Sequence, residues 1–170
     1  MSSVGFKDWA VVCDAIAQGR QDVILRKGGI HEGREGFAFE HKEFYLFPTL
    51  FHAQMDQVRG MEGFQAPSEK SGYELGDVVE IKTCCRILRT EVLTSWADVE
   101  ALSGRHVLTE DVVKARFEWE GKGMECGSIS VAFIAVIALE RPWQLEYEKS
   151  YGGCRSWVTL PECGISLVRG

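Results

Sequence analysis

The sequence predicts an α+β fold, with a mixed, curved or barrel-like β-sheet flanked by three to four helices. Runs rich in β-branched and aromatic residues recur along the 170 residues and are closed off by glycine or proline. Between them lie stretches with apolar residues at i, i+3 and i+4. The two kinds of segment interleave without regular strand–helix–strand spacing, which argues against a doubly wound parallel sheet.

The elements follow in order. Residues 7–19, KDWAVVCDAIAQG, place Trp9, Val12, Ala15 and Ile16 at helical spacing. Asp8 is suited to cap that helix and Gly19 to stop it. RQDVILRK reads as a strand ending at Gly28 and Gly29. FAFEHKEFYLF supplies two further short strands closed by Pro48, and LFHAQMDQVRG a short helix ending at Gly60. Residues 61–76 are polar and glycine-rich, an excursion too short for a domain linker. ELGDVVEIKTCCRILRTEVL predicts a long strand or a bulged pair. WADVEALSG and TEDVVKARFEW predict helices. The second opens on Thr109 and two acids, where the helix dipole favours negative charge. ISVAFIAVIAL is the most apolar strand and RSWVTL the last. A single domain over 1–170 is expected.

Composition narrows the function classes. A net charge of −6 disfavours non-specific binding along a nucleic-acid backbone but leaves room for a local basic patch. No run of about 18 apolar residues exists, and MSSVGFKDWA lacks a signal-peptide layout, so a cytoplasmic location is expected. The six cysteines then read as thiols. None has C-x-x-C spacing, and adjacent Cys84 and Cys85 would point to opposite faces of a strand. No metal site and no cofactor are expected.

Three motifs carry a resemblance. WAVVCDAIAQGRQDVILRKGGI, FYLFPT with His52 just behind it, and YGGCRSWVTL together resemble a bacterial domain-of-unknown-function family. Its pattern is a Trp-Ala helix, a strand ending in RKGGI, an F-P-T strand followed by His-Gln, and a late G-G-C-x-S-W. The resemblance spans nearly the whole chain, which departs from the pattern at His52-Ala53-Gln54. Links of some members to Mrr-type restriction endonuclease domains imply a role near foreign or modified DNA, with a nuclease as partner. A second resemblance, to PUA-like and ASCH-type domains, rests on Gly19, Arg20 and Arg26 and on Gly76, Asp77, Val79 and Ile81. It implies a barrel-like fold that binds RNA or modified bases.

The expected function is therefore a non-catalytic binding module for nucleic acid or a nucleotide-like ligand. The candidate ligand-binding residues are Arg26, Lys27, Gly28, Gly29, His52 and Arg155. The two glycines would let backbone N–H groups converge on an anion, and arginine offers a planar fork for phosphate or a base edge. The alternative is a metal-dependent nuclease of E-x-K type. Glu80 and Lys82 share one strand face, though no acid stands at the end of the preceding strand. A ligand-free interaction protein is the third reading.

Overall fold

The computed structural model describes residues 3–28, 38–65, 70–118, 121 and 123–168. Six strands form one open mixed sheet in the order β2-β5-β4-β3-β1-β6. They are β1 (Val4–Trp9), β2 (Val23–Lys27), β3 (Glu43–Thr49), β4 (Val78–Leu93), β5 (Ile129–Glu146) and β6 (Trp157–Thr159), with helices α1 (Ala10–Ala17), α2 (Trp96–Glu100) and α3 (Glu110–Phe117). Only β1 and β3 run parallel among the described pairs; the others are antiparallel. The α+β class and the curved mixed sheet expected from the sequence are observed. Among the described residues, no helix is long and apolar enough to cross a membrane.

The sheet is strongly coiled. Three strands lie between β2 and β1 in the sheet order. At about 4.8 Å per strand a flat sheet would hold them roughly 19 Å apart. Yet Arg26 on β2 donates from Nη2 to the Lys7 carbonyl on β1 at 2.5 Å and lies 3.5 Å from the Asp8 carboxylate. Arg116 on α3 donates to the Leu25 carbonyl at 2.7 Å and places its guanidinium over Trp9. The two arginines thus strap the gap of the half-barrel, with Asp8 as their shared anion.

Each face of the sheet buries its own cluster. Phe6, Phe44, Leu46 and Cys85 face α1 and α3, and meet Val11, Ile16 and Phe117. Tyr45, Phe47, Cys84 and Val158 face the other way, onto Tyr151 and Trp143. Adjacent Cys84 and Cys85 accordingly fall into different clusters, as strand alternation requires. All six cysteines are free thiols; Cys126 and Cys154 are exposed.

Three sequence expectations need correction. Residues 7–9 belong to β1, not to the first helix. Phe6 and Asp8 are buried on one face while Lys7 turns away, a period of two that pairing with β3 and β6 stabilises. Pro48 lies inside β3 instead of ending it. β4 pairs only with Glu43, Phe44 and Tyr45 there, so no ladder on that side needs an N–H from Pro48. Among the described residues of FAFEHKEFYLF, 38–47, there is one strand and not two. Conversely, β4 is the long bulged strand expected, with register shifts at Ile81/Thr83 and Ile87/Arg89. The segment around Gln54 forms a one-turn 3-10 helix, and Gly60 follows it with φ +66°.

Candidate functional site

A cleft of about 420 Å³ opens on the α1 face of the sheet. Helix α1 creates one wall because Val11, Val12, Ala15 and Ile16 are buried against the sheet, which leaves Asp14 and Gln18 on its outer side. Gln18 Nε2 donates to Asp14 at 2.6 Å, one helical turn back. Leu46 and Pro48 of β3 line the cleft together with Glu80, Lys82 and Thr83 of β4. Residues 61–65, with Tyr73, supply another part of the lining, including Phe64 and Gln65. Arg20, just past Gly19, donates to the Met61 sulfur at 3.1 Å and so ties the end of α1 to that segment.

The chemistry of the lining is mixed. Arg20 and Lys82 stand against Asp14, Glu62 and Glu80, two cations against three carboxylates, for a net of −1. Tyr73 stacks on Tyr147 with centroids 5.3 Å apart, and burial pushes its hydroxyl pKa well up, so the ring stays neutral. Lys82 Nζ lies 3.2 Å from Asp14 and 3.9 Å from Glu80. The E-x-K pair therefore does share a face, as the strand period demands. Its lysine ammonium, however, bridges the two nearest carboxylates. Among the described residues, no group of three or more His, Cys, Asp or Glu side chains is gathered around one point.

Of the residues singled out from the sequence, Arg26, His52 and Arg155 lie round β1, while Lys27 and Gly28 end β2 beside Ser128 and Ile129; none of these lines the cleft. Arg26 is half-buried and committed to Asp8 and Lys7; its Nε is buried with no hydrogen-bond partner among the described residues. Its guanidinium also sits 4.5 Å from the Phe6 ring. Lys27 is exposed at the end of β2. Gly28 has a structural reason to be glycine. A Cβ there would come within 2.5 Å of the Ile129 nitrogen, and its N–H and carbonyl are both engaged by Ser128. That N–H is not available to cradle an anion. Gly29 lies outside the described residues. His52 is exposed with its ring against Phe51, which packs on Trp9. Arg155 is exposed near Lys7, whose pKa is lowered by burial first and by the Arg155 charge second. Arg26 of β2 packs against the Phe6 and Asp8 face of β1, whereas Lys7, beside Arg155, points to the opposite face and donates to the Tyr151 and Gly153 carbonyls, so Arg26 and Arg155 do not converge on one concave surface.

Burial lowers the Arg116 pKa to about 10; Asp8 opposes that shift and Arg26 adds to it. The glutamine of the His52-Ala53-Gln54 stretch has a structural role. Gln54 Oε1 accepts the Val11 N–H at 2.9 Å and thereby satisfies a donor in the first turn of α1. The cleft residues themselves were visible only in fragments. Asp14 and Gln18 show i, i+4 spacing on the polar side of a helix, and Glu80 and Lys82 show strand alternation, but nothing local joins the two pairs.

A family model described as a domain of unknown function, DUF1802, matches residues 5–168. The chain belongs to the DUF1802 family. This agrees with the resemblance carried by the RKGGI, FPT and GGC-x-SW motifs. No curated protein matches the chain. Solved structures do. The ASCH protein from Zymomonas mobilis superposes with a TM-score of 0.54 at 10% identity, covering 95% of this chain and 89% of that one. Its S128A mutant gives 0.53 with the same identity and coverage, and its Y47F mutant 0.51 at 12% identity with 95% and 92% covered. The DUF1802 chain thus has an ASCH-like fold.

Proposed function

We propose that this DUF1802 domain is a non-catalytic binding module for nucleic acid or a nucleotide-like ligand, and that the cleft beside α1 receives a base. The carrying observation is the combination of the Phe64 and Tyr73 rings with the Gln18 and Gln65 amides in a cleft of about 420 Å³. Aromatic faces stack on any base, and amides and carboxylates satisfy its polar edge. Small-ligand sites fall in the range of roughly 300–1,000 Å³. The ASCH-like fold supports the same reading. A lining of net −1 disfavours a phosphate at the floor of the cleft, so the backbone would pass over the rim at Arg20. Lys27, His52 and Arg155, exposed outside the cleft, would make outlying contacts only.

Fluorescence anisotropy with short single-stranded RNA and DNA, plain and base-modified, tests this. Tyr73→Ala should weaken binding about ten-fold, in line with a stacking contribution of roughly 1–3 kcal/mol per base. Arg20→Ala should weaken it less, and Lys27→Ala with Arg155→Ala least. Absence of binding to every oligonucleotide, or equal binding by wild type and Tyr73→Ala, would overturn the proposal. In the defence-linked form of this reading a separate nuclease cleaves what the module recognises, and modified DNA should then bind differently from plain DNA of the same sequence.

A further inference from the structure

β4 outlasts its neighbour. β3 pairs with it at Glu43, Phe44 and Tyr45, opposite Arg86, Cys85 and Cys84, and the Ile87 N–H donates to the Lys42 carbonyl. Beyond that point β4 continues through Leu93 while pairing only with β5. Among the described residues, residues 88–93 therefore offer an outer strand edge that no other strand covers. An unpaired row of N–H and C=O groups is a template for another strand. The side chains on this edge are unusual for an edge left to water. Leu88 and Val92 are 66% and 64% exposed, on either side of Thr90. Arg89 and Glu91 occupy the alternate positions, 2.7 Å apart.

The order of these residues is self-complementary. An antiparallel copy of the same edge, with a two-fold axis at Thr90, sets Leu88 opposite Val92 of the second copy and Arg89 opposite its Glu91. The symmetric contacts repeat on the other side of the axis, as an isologous interface requires. Moving the axis by one residue, to Glu91 or to Arg89, would place like charges face to face at the centre. The charge pattern thus selects one register out of the neighbouring ones. Cross-strand pairs of opposite charge and of apolar side chains are the favourable ones in antiparallel sheets.

We infer that the edge of β4 at residues 88–92 docks a second copy of this chain, extending the two six-stranded sheets into one. The cleft beside α1 takes no part in this contact, so the inference stands apart from the ligand proposal. Leu93 would face Ile87 of the second copy, whose N–H is already engaged by Lys42, so the pairing runs over residues 88–92 and provides about four to six backbone hydrogen bonds. It lies at the small end of specific interfaces, below the roughly 1,200 Å² lower bound of standard-size ones. The dimer should accordingly form in a concentration-dependent way.

Sedimentation equilibrium of the full chain from low to high micromolar concentration reads the outcome directly, against a monomer of 19.1 kDa. Wild type should approach twice that mass as concentration rises. Glu91→Arg sets arginine against arginine across the axis and should hold the chain monomeric; Arg89→Glu combined with Glu91→Arg should restore the dimer. Thr90→Arg, at an exposed position, puts two like charges on the axis and should also abolish it. Circular dichroism confirms that each variant is folded. A wild-type chain that stays monomeric throughout, or a Glu91→Arg or Thr90→Arg variant that dimerises as well as wild type, would overturn the inference.

Discussion

His106 should make the protein acid-labile in a way that one substitution removes. The side chain is only 7% exposed, and its Nδ1 has no hydrogen-bond partner among the described residues. Burial, then the charges of Arg59 and Arg116, lower its pKa to about 4, against a smaller opposing effect of the Leu108 backbone. In the unfolded chain the ordinary value of about 6.5 applies. As pH falls through 6.5 the unfolded state takes up the proton while the folded state does not. Stability from this group is therefore complete above pH 6.5, declines as pH falls towards 4, and is lost below it. A difference of that size corresponds to roughly 3 kcal/mol, which partial solvent screening reduces to about 2 kcal/mol. Urea unfolding at pH 7.5 and pH 4.5, on wild type and His106→Asn, isolates the effect from the carboxylates that titrate in the same range. Wild type should lose about 2 kcal/mol more than the variant between the two pH values. If the two proteins lose stability in parallel, His106 is not held neutral by burial and the reasoning fails.

Two further outcomes follow from the packing. Gly28→Ala drives a Cβ against the backbone of Ser128 and Ile129, which cannot retreat without breaking the β2–β5 ladder, so thermal unfolding should show a loss of about 2–4 kcal/mol. A loss under 0.5 kcal/mol, about the scatter of neutral surface substitutions, would mean that this approach is looser than described. Asp8→Asn removes the anion shared by Arg26 and Arg116 and should cost about 3 kcal/mol in urea unfolding, with the deficit largest at neutral pH. A variant as stable as wild type would show that the two straps do not depend on that charge.

Much of the fold could be read from local pattern. The bulged length of β4, the acids opening α3 behind Thr109, and the apolar run that starts β5 each follow from residues within a few positions of one another. What failed was local pattern that long-range pairing overrides. Lys7, Asp8 and Trp9 fit a helix by spacing, yet parallel pairing with Phe47, Pro48 and Thr49 of β3, and the Lys7 N–H donated to the Ser156 carbonyl, draw all three into β1. Gly28 looked permissive and is instead a point of contact. The cleft could be read least well, because Asp14, Arg20, Glu80 and Tyr73 meet only after α1 has docked on β3 and β4. Charge count alone also says nothing of the partner that coiling of the sheet delivers to Arg26, the buried carboxylate of Asp8.

The strand order also dictates when the molecule can become complete. β2 is added to the sheet through β5, with Val23 opposite Phe133, and β1 is flanked by β6, with Val4 opposite Thr159. Both early strands wait for partners made late in synthesis, so loop closure over most of the chain must precede the reward of pairing. The emerging polypeptide would hold β1 and β2 with open edges while the ribosome is still making β5 and β6. Chaperone dependence during translation, and slow refolding from urea, are the kinetic signature expected of that topology.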